Sequence, residues 1–290
     1  MAHSVIFPRR AFLYAIGNTS AEVLTDELPP AESIDLLALG CGDPRSILYT
    51  VYADQAAESR EFDLTCCDVE PAILARNVLL LTLLADADDV RDTAIWDIFY
   101  HLRIADKPLA LLHRQCAKLV AVSESMQQWS DSSYGKFIRP RTLHTLLDMR
   151  YFWAKYAATA TFSPSQWKRL RADTDNSVKE LAEQYDVANV QTACRSAGPF
   201  WAEMMKSGLA ADHLSYYWRH GVVGGSPIAG ANFVNPTFCY TGLGSGFCLH
   251  YGTDPILGFH LDSLFAHAEG RSSRPSIAGI GAATTGTTII

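Results

Sequence analysis

The sequence predicts an α/β protein, and three observations support that class. Two short apolar runs have the length and the boundaries of buried strands, and a helical pattern follows each of them. A long helix-rich section comes next along the chain. Strands that alternate with helices form a parallel sheet with helices packed on its faces. Because the 290 residues are 48% hydrophobic, the chain can bury a large core.

The first strand is predicted at residues 34–39, an apolar run that Pro30 precedes at a short distance and Gly40 ends. A helix is predicted from Arg45 onward, where apolar residues recur on one face. The residues between them, 40–44, read Gly-Cys-Gly-Asp-Pro. A glycine turn is therefore expected to lead the strand directly into the helix.

A second strand is predicted in the stretch EFDLTCCDVEP, where apolar residues alternate with less apolar ones and Asp68 ends the run. Pro71 then stands where the first turn of a helix tolerates proline. Residues 72–84 are apolar nearly all round, which predicts a buried helix. Residues 31–88 are therefore interpreted as a β-α-β-α unit, the first half of a doubly wound sheet.

The rest of the chain divides into three sections. Residues 89–220 are almost wholly helix-like and rich in aromatic residues, and they are interpreted as a helical insertion or lid. Residues 221–267 have the high glycine density that is typical of loops and short strands. Residues 268–290 are small and polar and are predicted to be a disordered tail. We expect residues 1–267 to form a single globular domain.

The charge balance disfavours a nucleic-acid surface. The chain carries 24 basic and 31 acidic residues, a net charge of -7, whereas a nucleic-acid surface normally needs a basic stripe. The densest basic clusters are Arg139 with Arg141, and Lys168 with its neighbours Arg169 and Arg171. Both are interpreted as solvated helix faces. We expect no nucleic-acid partner.

The apolar runs are too short for a membrane span, which requires about 18 consecutive apolar residues. The N-terminal stretch MAHSVIFPRR lacks the apolar core of a signal peptide. We therefore expect a cytoplasmic protein whose seven cysteines are mostly reduced thiols. Because the sequence has no Cys-x-x-Cys pair, we expect no metal site.

The glycine turn and Asp68 together predict a nucleoside-type pocket. A strand, a Gly-x-Gly turn and a helix place backbone N–H groups where a polar ligand group is well held, and glycine lets the ligand approach closely. Asp68 ends the second strand, 26 positions after Gly42. An acid at that place accepts hydrogen bonds from ribose hydroxyls. The alternative, which does not exclude the first, is that Asp68 caps the next helix.

Two kinds of cofactor, a dinucleotide and S-adenosylmethionine, are candidates for binding at such a turn. A dinucleotide site favours a third glycine three positions after Gly42, where this chain has Arg45. A bulky, charged residue at that position disfavours a pyrophosphate on the turn, and with it a nucleotide-dependent oxidoreductase. S-adenosylmethionine carries no phosphate, so the pattern favours it as the cofactor.

The same stretches carry a resemblance to a known family. LLALGCGDPRSILYT and DLTCCDVEPAILARNVLLLTLL resemble the first two motifs of class I S-adenosylmethionine-dependent methyltransferases. With YAIGNTSAEVLT, IWDIFYHL and HYGTDPILGFHLD, they are similar to the uncharacterised methyltransferase-like domain at the front of many fungal MYND-type zinc-finger proteins. That domain has a relative in the dynein axonemal assembly factor 3 family. The MYND zinc finger itself is not found in this sequence.

The resemblance implies a Rossmann-like, class I methyltransferase-like sheet with a large helical insertion and a glycine-rich C-terminal section. It also implies a set of residues around S-adenosylmethionine. Those residues are Gly40, Cys41, Gly42, Asp43, Asp68 and Glu70. The methyl acceptor is expected to be a small molecule or a protein.

Two departures from the family pattern leave catalysis open. Ala38 stands where the motif has an acidic residue that organises the methionine end of the cofactor, and Asp43 is expected to replace it in part. Pro44 stands in place of the third glycine, which stiffens the turn and removes a backbone donor. The alternative function is a non-catalytic protein-interaction or assembly module on a degenerate methyltransferase fold.

A second candidate site lies in the stretch HYGTDPILGFH. His250 and His260 are candidate general bases, because histidine titrates near neutral pH, and Asp254 is a candidate to orient one of them. The alternative is structural, since Asp-Pro commonly opens a turn and His260 fits a buried core position. The stretch DHLSYYWRH is a weaker candidate: His213, Tyr216, Tyr217 and His220 fall on one helical face, either lining a substrate cleft or packing.

Overall fold

The computed structural model describes residues 15–17, 21–26, 28, 33–55, 61–87, 93–184, 217, 220–222, 229–239 and 284–289. This part of the chain is a mixed α/β structure, mostly helical, with a small sheet, so the predicted class is confirmed at that level. The helices are α1 (Arg45–Gln55), α2 (Pro71–Ala85), α3 (Thr93–Tyr100), α4 (Asp106–Val122), α5 (Met126–Asp131), α6 (Leu143–Ala158) and α7 (Pro164–Gln184). The strands are β1 (Ser33–Leu39), β2 (Glu61–Cys67), β3 (Arg103–Ile104), β4 (Ile138–Pro140), β5 (Phe233–Val234) and β6 (Thr284–Ile289).

The larger sheet has the strand order β1-β2-β6-β4, and every neighbouring pair in it is parallel. The β1–β2 register runs from Ser33 opposite Glu61 to Leu39 opposite Cys67. The second sheet is the short antiparallel pair of β3 and β5. A complete Rossmann-like sheet is not evident among the described residues, where β1 has β2 as its one described neighbour.

The predicted β-α-β-α unit has its elements where the apolar pattern placed them. β1, α1 and β2 follow in order. α2 begins at Pro71, as predicted from the fact that the first turn of a helix tolerates proline. Eleven residues of α2 are buried, which agrees with its apolar pattern. α1 packs its Val51 against Phe62 and Leu64 on one face of the strand pair.

The opposite face of β1 is open. Leu37 is 61% exposed and Leu39 is 74% exposed, while Val69, just beyond β2, is 81% exposed. Both faces of a parallel strand are normally covered, which gives such strands a nearly continuous hydrophobic sequence. Three large apolar side chains near the ends of β1 and β2 are therefore left exposed to solvent.

The prediction of a disordered tail over residues 268–290 is wrong at Thr284–Ile289, which form β6 between β2 and β4. The sequence of this strand, TTGTTI, is rich in β-branched residues, which favour strands. The prediction of disorder was based on the small, polar residues of this segment and did not take the strand preference of its threonines into account. The remaining proposed boundaries stay predictions.

The helical section contains α3 to α7 over the described residues 93–184, as predicted. It also contains β3 and β4, which the sequence did not predict. Several of its aromatic residues pack in the core, where the indole rings of Trp129 and Trp153 stack with centroids 5.8 Å apart. The Trp153 Nε1–H donates to the Ala75 carbonyl at 2.9 Å, which ties α6 to α2. Among the described residues, we find no helix that is both long and apolar enough to cross a membrane.

Candidate functional site

The glycine turn at the end of β1 has the backbone that its residues predict. Gly40 has φ +62° and Gly42 has φ +55°, the left-handed region that costs other residues energy. A Cβ atom built at either position meets no heavy atom within 4 Å. The two glycines are therefore required by the backbone conformation rather than by crowding, and the space beside them is open.

Asp68 binds the glycine turn directly. Its Oδ2 accepts the Gly42 N–H at 3.0 Å, and its Oδ1 accepts the Glu70 N–H at 3.0 Å. The sequence predicted this carboxylate opposite the turn amides, with a ligand between them, but here a carboxylate oxygen and an amide are in contact. Asp68 thus joins the two strand ends and orders the entry to α2. It remains partly exposed, and each carboxylate oxygen can accept a further hydrogen bond.

Asp43 serves the fold rather than the open side of the turn. It is 6% exposed. Its Oδ2 accepts the Gly17 N–H at 2.9 Å, and its Oδ1 pairs with Arg45 Nε at 2.6 Å. A Cβ atom at Gly17 would clash with the Arg45 guanidinium, so this contact is tightly packed. The carboxylate is therefore already engaged, and the expectation that Asp43 replaces the missing acid at position 38 finds no support in this geometry.

Asn77 is a site residue that the sequence analysis missed. It lies on α2, is 5% exposed, and donates from Nδ2 to the Gly42 carbonyl at 2.7 Å. With Asp68 accepting the N–H of the same glycine, both backbone groups of Gly42 are fixed by side chains. The sequence did contain a signal, because Arg76 and Asn77 are the two polar residues in the run ILARNVLLL.

Arg76, beside Asn77, is a buried cation that holds α2 in place. It is 1% exposed, and its guanidinium lies 4.8 Å from the centroid of the Phe99 ring and 4.3 Å from that of Phe238. Its Nη2 donates to the Phe99 carbonyl at 2.7 Å, and its Nη1 donates to the Thr237 hydroxyl. Burial lowers the pKa of Arg76 to about 10, so the side chain stays charged at neutral pH.

Glu70 and Cys41 complete the described part of the predicted cofactor set. Glu70 is the N-cap residue of α2 and is 7% exposed, but its side chain makes no capping hydrogen bond. Cys41 is partly exposed, and its backbone N–H donates to the Cys67 carbonyl at 2.9 Å, which extends the pairing of β1 and β2 by one bond. Gly40, Cys41, Gly42, Asp68 and Glu70 therefore lie at one edge of the sheet.

The second candidate site, His250, Asp254 and His260, lies outside the described residues. Of the weaker candidate cluster, Tyr217 is fully buried and donates its hydroxyl to the Tyr100 carbonyl at 3.0 Å, while His220 is exposed. Tyr217 therefore packs in the core rather than lining a cleft. In the described part of the chain, no group of three or more His, Cys, Asp or Glu side chains is placed to hold a metal ion.

The residues of this edge fit the nucleoside part of S-adenosylmethionine. The open space beside Gly40 and Gly42 admits a ligand close to the backbone, and the partly exposed Asp68 has acceptor capacity left for ribose hydroxyls. The methionine end is fitted less well, because Ala38 supplies no carboxylate and Asp43 is engaged.

The fold and site define a mixed α/β protein with a glycine turn at the carboxyl edge of a parallel strand pair. Over residues 15–104 the chain is similar to a family described as a domain of unknown function (DUF4470). The matched region runs to the end of β3 and includes the glycine turn, Asp68 and Asn77. No curated protein and no solved structure matches the chain. The resemblance to the methyltransferase-like domain of MYND-type proteins stays a prediction.

Proposed function

We propose that the chain binds S-adenosylmethionine at the carboxyl edge of β1 and β2, on a Rossmann-like, class I methyltransferase-like fold. One observation carries the proposal. The Gly40–Gly42 turn is open on its ligand side, and a partly exposed carboxylate from the neighbouring strand lies within hydrogen-bond distance of it. A close approach to the backbone and a carboxylate acceptor at the end of the adjacent strand suit the ribose of a nucleoside.

The geometry favours a ligand without phosphate. Phosphate binds well at a helix N-terminus because free N–H groups and the helix dipole attract an anion. Here the start of α1 already holds the Asp43 carboxylate, which accepts the Arg45 N–H at 3.4 Å and forms an ion pair with the Arg45 side chain. A second anion at this point would meet a negative charge. This supports S-adenosylmethionine over a dinucleotide.

The proposed activity is methyl transfer to a small-molecule or protein acceptor in the cytoplasm. Catalysis would come mainly from holding the methyl group against the acceptor nucleophile, since alignment of two reactants lowers the barrier substantially. His250 or His260 would take the acceptor proton, with Asp254 orienting the base.

Ligand-dependent thermal unfolding tests the cofactor part of the proposal. A ligand at a hundred times its Kd stabilises the folded state by about 2.7 kcal/mol. We expect millimolar S-adenosylhomocysteine to raise the melting temperature of the chain by several degrees, and nicotinamide dinucleotides to leave it unchanged. Asp68→Ala should lose this ligand response, whereas Asp35→Ala, an exposed aspartate on β1, should keep it.

Asp68→Ala also removes the carboxylate oxygens that accept hydrogen bonds from two backbone N–H groups, so the variant itself should unfold at a lower temperature. The readout is therefore the shift that the ligand causes within each variant, not the melting temperature of the free protein. An unchanged melting temperature of the parent chain at millimolar ligand rules out the proposed cofactor.

A non-catalytic protein-interaction module is the second candidate function. It is favoured by the large apolar side chains of Leu37, Leu39 and Val69, which are 61% to 81% exposed near the ends of β1 and β2. Exposed apolar patches often mark protein–protein contacts. This function predicts no response to S-adenosylhomocysteine, so the same titration separates the two candidates.

A further inference from the structure

Helix α6 has apolar residues on two opposite faces. Its buried face packs in the core and consists of Leu146, Met149, Phe152, Trp153 and Tyr156. The other face carries three large apolar side chains that remain in solvent: Leu143 is 46% exposed, Leu147 is 42% exposed and Tyr151 is 51% exposed. A helix at the surface of a globular protein normally has one apolar face and polar residues on the opposite side. The second apolar face of α6 is therefore available to a partner.

Two alanines extend this second face toward the end of the helix. Ala154 is partly exposed and Ala158 is exposed. At about 100° per residue, Leu143, Leu147, Tyr151, Ala154 and Ala158 fall within about 80° of the circumference of the helix. We call these five residues the α6 seam. From Leu147 on they are spaced by four, three and four residues, the spacing with which one helix packs lengthwise against another.

Large and small residues follow one another along the α6 seam in an order that suits a second copy of the same helix. The two leucines lie in the first half of α6 and the two alanines lie in the second half. If two copies of α6 run antiparallel about a two-fold axis between residues 150 and 151, Leu147 lies opposite Ala154 of the second copy. Leu143 then lies opposite Ala158 of the second copy, and each contact occurs twice. A large residue opposite a small one lets the two helices pack at the usual distance of about 8–10 Å between their axes.

The charged residues beside the α6 seam are also self-complementary. Asp148 and Lys155 lie on the same flank, and in the antiparallel arrangement Asp148 of each copy faces Lys155 of the other. The side chain of Asp148 is 40% exposed, and the ring of His144 lies 3.5 Å from its carboxylate. The Lys155 ammonium lies over the Tyr151 ring, 4.9 Å from its centroid, and no carboxylate of the described residues pairs with it. Two ion pairs between the copies are therefore available.

The opposite flank of the α6 seam carries Arg150. Its Nη2 lies 3.2 Å from Oε1 of Glu124. The two copies of Arg150 approach each other across the two-fold axis, but each brings its own carboxylate partner. The positive charges are therefore compensated within each chain.

We propose that the α6 seam is a homodimer interface, in which α6 of one chain packs antiparallel against α6 of a second copy. The self-complementary order of leucine and alanine, together with the facing Asp148 and Lys155, identifies the occupant as a second copy rather than an unrelated helix. A single helix pair is at the small end of protein interfaces, so the dimer is weak and its population depends on protein concentration. This inference does not depend on the proposed cofactor.

Sedimentation equilibrium of the full chain tests the proposal. We expect the weight-average mass to rise with protein concentration from the 31.9 kDa of one chain toward twice that value. Leu147→Glu places a charge from each copy inside the interface, so this variant should keep the mass of one chain. The control is Leu28→Glu, because Leu28 lies outside the α6 seam and is 43% exposed, nearly as much as Leu147. The control should associate as the parent chain does.

Charge exchange distinguishes pairing between two copies of α6 from any other contact of this helix. Asp148→Lys and Lys155→Asp each place like charges opposite each other, so each variant alone should dimerise about tenfold more weakly. An equimolar mixture of the two variants should recover the association of the parent chain, because opposite charges then face each other at both positions. The double variant should recover it as well.

A parent chain that keeps the mass of one chain up to roughly 100 μM would overturn the proposal and leave the α6 seam to a different protein. A dimer that Leu147→Glu does not weaken would place the interface elsewhere. A mixture of the charge variants that associates no better than its components would exclude the antiparallel arrangement. The measurement on the parent chain needs no variant, so the proposal stays testable even if a substitution impairs folding.

Discussion

At the scale of single residues, His101 makes the stability of this protein depend on pH. The side chain is 2% exposed. Asp97 Oδ1 lies 3.2 Å from its Nδ1, but neither ring nitrogen has a hydrogen-bond partner of acceptable geometry among the described residues. Burial lowers the pKa of His101 to about 4, because the charged imidazolium is poorly solvated inside the protein.

We predict that His101 destabilises the folded state as the pH falls from about 6.5 to about 4. In that window the unfolded chain binds a proton that the folded chain does not, so the free energy of unfolding decreases with decreasing pH. A difference of about 2.5 pKa units corresponds to about 3 kcal/mol at most. Urea unfolding of the parent chain and of His101→Asn at several pH values measures this effect.

The exposed His144 provides the control, since its side chain is 86% exposed. His144→Asn should keep the pH dependence of the parent chain, whereas His101→Asn should weaken it and leave the smaller contribution of His113, whose pKa burial also lowers. Equal slopes for all three proteins between pH 6.5 and pH 4 would contradict the prediction.

Residue by residue, the sequence predicted part of the candidate site. Gly40, Gly42 and Asp68 meet at one edge because their positions follow from strand ends, which the apolar pattern locates. Their direct hydrogen bond and the engagement of Asp43 with Gly17 did not follow. Such contacts depend on how distant segments pack, which local pattern does not encode.

At the scale of elements, α2 supports the glycine turn. Its Asn77 binds the Gly42 carbonyl, and its Arg76 binds the end of α3 and the Thr237 hydroxyl. Through these contacts one core helix is bonded both to the candidate site and to neighbouring elements of the core. A substitution of Arg76 should therefore affect both the candidate site and the packing of the core.

We predict that Arg76→Lys lowers the free energy of unfolding by about 2–3 kcal/mol. Lysine keeps the charge but cannot reach the Phe99 carbonyl and the Thr237 hydroxyl together, and an unsatisfied buried acceptor costs about 1–3 kcal/mol. Arg114→Lys on α4, where the arginine is exposed, should change it by less than about 0.5 kcal/mol. Urea unfolding measures both variants, and similar losses in the two would contradict a clamping role for Arg76.

Among the elements, length decided which ones the sequence could predict. β1, α1, β2 and α2 each carry at least seven residues of clear pattern. β3 and β4 have two and three residues, too few to show any period. β6 was not predicted because its threonines were interpreted as polar residues of a disordered tail rather than as β-branched residues of a strand.

At the scale of the whole molecule, β6 completes the larger sheet. Thr287 pairs with Leu64 of β2 on one side and with Ile138 of β4 on the other. β4 and β2 are not neighbours, so the sheet is continuous only through β6. The helical section and the β-α-β-α unit are thus joined by a strand from the last residues of the sequence.

We predict that Thr287→Pro lowers the free energy of unfolding by about 3 kcal/mol, because proline removes a ladder hydrogen bond and is not accommodated inside a sheet. Ser33→Pro is the control, since Ser33 is the first residue of β1, where proline is tolerated. Thermal unfolding and hydrogen exchange of the β2 amides measure both variants. An equal effect of the two substitutions would argue against a central position for β6.

The position of β6 in the sequence also means that it is synthesised long after the strand with which it pairs. Its partners on β2 leave the ribosome more than 200 residues before it does. At a translation rate of roughly 5–20 residues per second, β6 is synthesised about 10–40 seconds after β2. During that interval a strand edge is unprotected and can pair with another nascent chain. Correct folding of this protein should therefore depend on chaperones that shield the growing polypeptide until β6 has been translated.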